Sequence, residues 1–246
     1  MSSRTLFRLG GLALLIALAL QILGFALHPP SEQVADVLKP IYGPAHLILF
    51  VSWLFALPGL TGLYARQANR AGVLGLIGFA TTVYAAAYHF YLLLYEAYAT
   101  PLLAQQPATR SLIEDGPLAH GAGALGPLGF LSILAFPLFG IAILRAGVLP
   151  RLAGWLQIVS VPVLFLGAFI VSPDAPAPFG TMAAAPIAWM YFLIFLGYAV
   201  GGYALWTGKE RVREPAVRTD GHAPAHHVGP RQGKQPLARQ VNKSAG

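Results

Sequence analysis

Apolar residues fall into six runs of membrane-spanning length, at about 20 residues for a hydrocarbon core of ~30 Å. The runs cover residues 9–27, 46–64, 71–94, 123–144, 152–171 and 182–206. Polar residues collect between them. The pattern predicts an all-α polytopic bundle of six transmembrane helices over residues 1–206. After Trp206 the pattern stops: residues 207–246 hold eight basic residues, three acids, four prolines and His222, His226 and His227. A stretch with no apolar face buries too little surface to offset its ordering entropy, so it reads as a disordered tail.

The connections refine this picture. The first run has the basic start of a signal peptide, but its 19-residue length and the following His28, Pro29 and Pro30 favour a retained anchor. A turn at residues 67–70 makes the second and third spans antiparallel neighbours. Pro58 and Pro137 interrupt the second and fourth spans, where neighbouring helices absorb a kink. The longest connection, residues 99–121, contains Ser111 and Glu114 in capping-box spacing and predicts one short helix. Gly123, Gly126 and Gly129, three apart, predict close helix packing. The pentapeptide RAGVL occurs at 70–74 and again at 145–149. Either a two-helix unit is duplicated, or the recurrence is coincidence in a chain rich in these residues.

Charge sets the expected orientation. With an internal N-terminus, fourteen of the sixteen basic residues lie on one side, including Arg66, Arg70, Arg145 and Arg151 as anchors; only Lys39 and Arg110 lie opposite. The positive-inside rule then places both termini in the cytoplasm of a bacterial inner (plasma) membrane. The basic tail is expected to meet anionic lipid headgroups. The net charge of +7 does not imply a specific nucleic-acid partner, since the basic residues sit in short loops and the tail rather than on a folded polar surface. A composition 56% hydrophobic and 10% charged excludes an ordinary soluble domain. The absence of cysteine excludes disulfides, thiolate metal sites and cysteine nucleophiles.

Candidate chemistry concentrates in residues 81–98, TTVYAAAYHFYLLLYEAY. His89 and Glu96 are seven apart and share one line of a helix. Tyr84, Tyr88, Tyr91, Tyr95 and Tyr98 form a second line, and Phe90 and Leu94 are expected to face lipid. His28, His46 and His89 each stand 19 or 20 residues from the nearest internal arginine. At 1.5 Å per residue this puts all three about 30 Å away, at the external edge of the hydrocarbon. Glu96 and His120 lie further out. Intramembrane ionisable groups mark candidate sites, so His46, His89 and Glu96 with Tyr88, Tyr91 and Tyr95 form the candidate ligand or proton site. The same histidines and Glu96 are the candidate metal ligands. Equal depth also makes His46 and His89 a candidate pair for haem b, although a short turn between their helices leaves little room for a macrocycle. A transition metal is sterically easier but lacks an HxxxH or HExxH pair. For Tyr91, Tyr95 and Tyr98 an aromatic belt at the membrane interface is the simpler account.

The segment RAGVLPRLAGW at 145–155, with Pro44, Ala45 and His46 opening the second span and LPGLTGLYARQ closing it, resembles a broad group of bacterial six-helix integral membrane proteins. The resemblance implies a small six-span domain; no activity attaches to that group, and no functional residue is carried over. There is no GxxxxGK[ST] loop, GxSxG elbow or GxGxxG fingerprint, and the acids in or beside the spans reduce to Glu96. The sequence therefore predicts a non-enzymatic membrane component, associated with lipid and other membrane proteins, with an outward-facing polar pocket. The alternatives are a proton-coupled small-solute transporter using His89 and Glu96, and a haem- or metal-binding redox subunit using His46 and His89.

Overall fold

A computed structural model describes residues 2–114, 126–170, 182 and 185–208. His120, Gly123, the opening of the predicted fourth span and the tail from Lys209 onward lie outside these residues. Among the described residues every element is helical and no strand occurs. The long helices are α1 (Ser3–Leu27), α3 (Tyr42–Leu94), α6 (Gly126–Ala146), α7 (Arg151–Ile170) and α8 (Pro186–Thr207). Short helices α2 (Val34–Val37), α4 (Thr100–Gln105) and α5 (Arg110–Glu114) lie in the connections; the described part of residues 99–121 thus holds two short α-helices where one is expected, and Ser111 lies inside α5 rather than capping it.

Among the described residues five helical segments are long and apolar enough to cross a membrane, against six expected, because the predicted second and third spans form one 53-residue helical run. The residues expected to turn, 67–70, are helical; the break comes at Gly72, with φ 59° and ψ −155°. Beyond it the chain folds back on itself. Tyr64 stacks on Phe79, Trp53 on His89, and Phe50 meets Phe90 edge-on, with centroids 4.5, 4.6 and 5.4 Å apart. Falling numbers on one arm meet rising numbers on the other, as in an antiparallel pair. Phe90 is thus partly buried against the core rather than turned wholly to lipid.

The two copies of RAGVL occupy equivalent places. Gly72 and Gly147, the third residue of each, both have positive φ, a region glycine enters without steric cost. Ala71, Ala146 and Val148 from the two turns pack together. Each copy therefore places a positive-φ glycine two residues after an arginine at a break between helices.

Lipid supplies no hydrophobic drive for helix association, so close packing of small residues must hold the bundle together. α1 packs between α3 and α8, α7 between α6 and α8, and α6 against α3. Backbones approach closely at glycine pairs: a methyl group on Gly11 would overlap the Gly202 carbonyl and stand 2.8 Å from Trp206 N. Gly140 and Gly154 are related in the same way across α6 and α7. Around these crossings lies a core including Leu14, Trp53, Leu60, Phe136, Phe139, Phe195 and Tyr198. Arg4, Arg8 and Arg66 line one cavity with Trp206, and Arg66 lies 5.9 Å above the Phe7 ring. This is the arginine end of the bundle; His28 and Glu96 mark the other, the histidine end.

Gly11→Val should lower the thermal stability of the detergent-solubilised protein by about 1–3 kcal/mol, the cost of overpacking a tight contact. Gly62→Ala, whose added methyl meets nothing nearer than 3.5 Å, should leave the melting temperature within error of the parent.

Candidate functional site

The α1 helix ends at Leu27, and Pro29 and Pro30 turn the chain across the histidine end. The loop returns through α2, whose Val34 and Val37 pack with Tyr42, Ala104 and Ile113 into a small cap. Lys39 Nζ pairs with Asp36 Oδ1 at 2.6 Å, and Ser31 donates to Asp36 Oδ2 at 2.5 Å. Partial burial opposes ionisation of Asp36, but these contacts outweigh it and hold its pKa below the ordinary carboxylate value. The loop is thereby anchored, with Glu32 held over the start of α3.

Beneath it His28 and His46 are both buried, 5% and 4% exposed. Their Nε2 atoms face one another at 3.1 Å. The Nδ1 atom of His28 lies 2.7 Å from the Pro29 carbonyl, and that of His46 lies 2.9 Å from the Tyr42 carbonyl. A carbonyl only accepts, so each Nδ1 carries the ring proton and each Nε2 of a neutral ring presents a lone pair. The two lone pairs point into the same space. Glu32 Oε1 is 3.3 Å from His28 Nε2. Burial of His28 disfavours its charge, yet Glu32 and the Pro29 carbonyl outweigh that effect and raise its pKa above the ordinary value. Burial likewise pushes Glu32 up, and its contacts with His28 and Tyr42 bring the net shift below the ordinary value.

The second oxygen of Glu32 has its own partner. The Tyr42 hydroxyl contacts Glu32 Oε2 and also Glu96 Oε2, the latter at 2.6 Å. Glu96 reaches this position from a π-turn, Tyr95–Ala99, inserted between α3 and α4. The third span thus continues past Leu94, to Gln105. Gly43 allows the close approach, since a methyl group there would stand 2.9 Å from the Ala97 carbonyl. π-turns recur at functional positions because the extra residue re-aims a side chain.

His89 belongs to a different layer. Its Nδ1 donates to the Ala85 carbonyl at 2.6 Å, and its Nε2 accepts from the Tyr191 hydroxyl. Its ring stacks on Trp53. Trp53 is seven residues past His46, and His89 seven before Glu96, so this layer lies about 10 Å further toward the arginine end. The expectation that His46 and His89 are level is therefore corrected: counting residues from arginines ignores that α3 turns at Gly72, after Arg70. The His89 ring thus meets Tyr191 and Trp53 and lies a layer away from His46. The tyrosine line divides as well. Tyr91 and Tyr98 are 51% and 59% exposed, as an aromatic belt requires. The Tyr88 hydroxyl lies against Gly129, and the Tyr95 hydroxyl is buried without a partner among the described residues.

Of the candidate residues, His46 and Glu96 are brought into one cluster; His89 and Tyr88 are not part of it. Glu32 and Tyr42 join it unforeseen, so the acids beside the spans do not reduce to Glu96. Two spacings carry the signal: His28 to Glu32 and Tyr42 to His46 are each four apart.

Tyr191→Phe should strand the buried His89 Nε2 and lower stability by about 1–3 kcal/mol. The double variant His89→Leu with Tyr191→Phe removes both partners and should recover part of that loss in the same melting assay.

Comparison with family models, with curated proteins and with solved structures returns no match to this chain.

Proposed function

We propose that this chain is a bacterial inner-membrane protein that crosses the bilayer six times with both termini cytoplasmic. In this reading it acts as a non-enzymatic membrane or complex component whose outward end binds a small cationic ligand in a buried polar pocket. Six crossings follow if each arm of α3 spans separately, which the ring pairs across Gly72 support. Orientation follows from the arginine end, since the positive-inside rule assigns it to the cytoplasm. The histidine end then opens outward.

The observation that carries the ligand reading is the opposition of the His28 and His46 Nε2 atoms at 3.1 Å, with both Nδ1 atoms committed to carbonyls. Two lone pairs in that geometry repel unless a positive species lies between them. Glu32, its side chain 32% exposed, supplies negative charge and a route to water. A transport route through His89 has less support, since both its ring nitrogens are already engaged.

The chain has no cysteine, so single cysteines report topology directly. In intact cells permeable only at the outer membrane, Gln33→Cys should react with an impermeant maleimide, while Asn69→Cys should react only after lysis. Labelling of Asn69→Cys without lysis, or protection of Gln33→Cys, refutes the orientation.

A further inference from the structure

We infer that His28, Glu32 and His46 form a binding site for one first-row divalent transition-metal ion of the Zn²⁺ class. The inference rests on the outward cationic pocket proposed above and names its occupant. His28, Glu32 and His46 each offer one ligand atom, and the three atoms lie within 4.8 Å of one another. The two separations from His28 match a coordination shell. Ligands held at ~2.0–2.1 Å around a tetrahedral Zn²⁺ stand about 3.3 Å apart, and the observed Nε2 to Nε2 and Nε2 to Oε1 distances are 3.1 and 3.3 Å. Two imidazoles and a carboxylate also suit a borderline metal and not Ca²⁺ or Mg²⁺, which take oxygen.

A second, independent feature is the outer layer. Imidazoles that bind metal donate their other N–H to a carbonyl or carboxylate, which fixes tautomer and ring orientation. Both rings do so here, to Pro29 and Tyr42. The carboxylate is oriented in the same way: Oε1 of Glu32 faces the imidazoles while Oε2 meets the Tyr42 hydroxyl, which in turn contacts Glu96. Tyr42 is thus a positioning residue that serves two of the three ligands, His46 through its backbone carbonyl and Glu32 through its phenol. Three protein ligands would leave a tetrahedral ion one further position for water or a substrate, as in zinc sites that keep an exchangeable ligand.

The test uses the full-length protein, stripped with chelator and titrated with ZnCl₂ against a fluorescent competitor. One Zn²⁺ per chain is expected, with affinity falling at least about 100-fold in His28→Gln and in His46→Gln, and about 10- to 100-fold in Tyr42→Phe. Replacing His222, His226 and His227 together with alanine should leave the affinity unchanged. X-ray absorption of the zinc-loaded parent should show two imidazoles and oxygen in the first shell, a readout that does not depend on how the variants fold. No stoichiometric zinc, zinc lost with the tail histidines, or a shell without imidazole each overturns the site. The cysteine labelling stands apart from these outcomes: correct labelling with no zinc removes the metal and leaves the outward pocket, whereas reversed labelling with zinc bound removes the orientation alone.

Discussion

Two imidazole Nε2 atoms directed at one another, each ring with its Nδ1 committed to a carbonyl, are the constraint around which the histidine end is arranged. In lipid a polar group without a partner costs several kcal/mol, and this pair is satisfied only when a positive charge, a proton on one ring or a bound cation, lies between the two nitrogens. The usual remedy would be for one ring to change tautomer. Here that exit is closed, because each Nδ1 proton is held by a backbone carbonyl and flipping a ring would break that bond. The loop of residues 28–41 therefore delivers Glu32 to the same point, and the carboxylate makes a positive occupant favourable. Tyr42 links Glu32 to Glu96, so charge on the loop is tied to charge on the π-turn.

That arrangement depends on features remote from it. The antiparallel hairpin of α3 sets which residue on one arm meets which on the other, and its register is fixed by the reversal at Gly72. A shift of one residue there would carry Tyr42 about 100° around the helix relative to Glu96. Glycine contacts between α1 and α3, Gly10 with Gly59 and Gly24 with Leu49, hold α1 close enough for His28, the residue after its last turn, to reach His46. In a membrane these packing contacts do the work that hydrophobic collapse does in water.

Much of the fold is legible in the residues. Apolar runs locate the helices, since length against bilayer thickness is a coarse and sturdy criterion. The turn after Arg70 is harder: residues 67–70 are polar and look like a loop, but an arginine or asparagine at a helix end continues the helix, and the backbone reverses only where glycine permits positive φ. At the site, His46 and Glu96 are visible because ionisable residues within apolar runs are rare. Glu32 is not, because an acid in a proline-bounded loop has the local signature of a solvated one. Tyr42 is missed for a related reason, since it precedes the apolar run and reads as interface. Their roles come from a folded cap of about a dozen residues, and no periodicity reports where such a loop comes to rest.

The layer below the cluster bears on whether an ion held there would move through the protein. Trp53 stacks on His89 and meets Phe195 edge-on at 5.0 Å, with Phe136 beyond at 6.4 Å. Tyr191 closes the remaining side of His89 and stacks in turn on Phe25. Trp53, Phe136 and Phe195 are all but inaccessible. Five aromatic rings and a neutral, fully bonded imidazole thus fill the bundle about one and a half to two turns beneath His46. A cation leaving the cluster in that direction would exchange two imidazoles and a carboxylate for a layer of packed rings, at a desolvation cost far above thermal energy. The exchange route that the geometry supports runs back past the half-exposed Glu32 toward water. In the proposed reading this packing favours binding from one side over passage across the membrane: both His89 ring nitrogens are engaged within the aromatic layer, while His46, one layer up, turns its Nε2 toward His28.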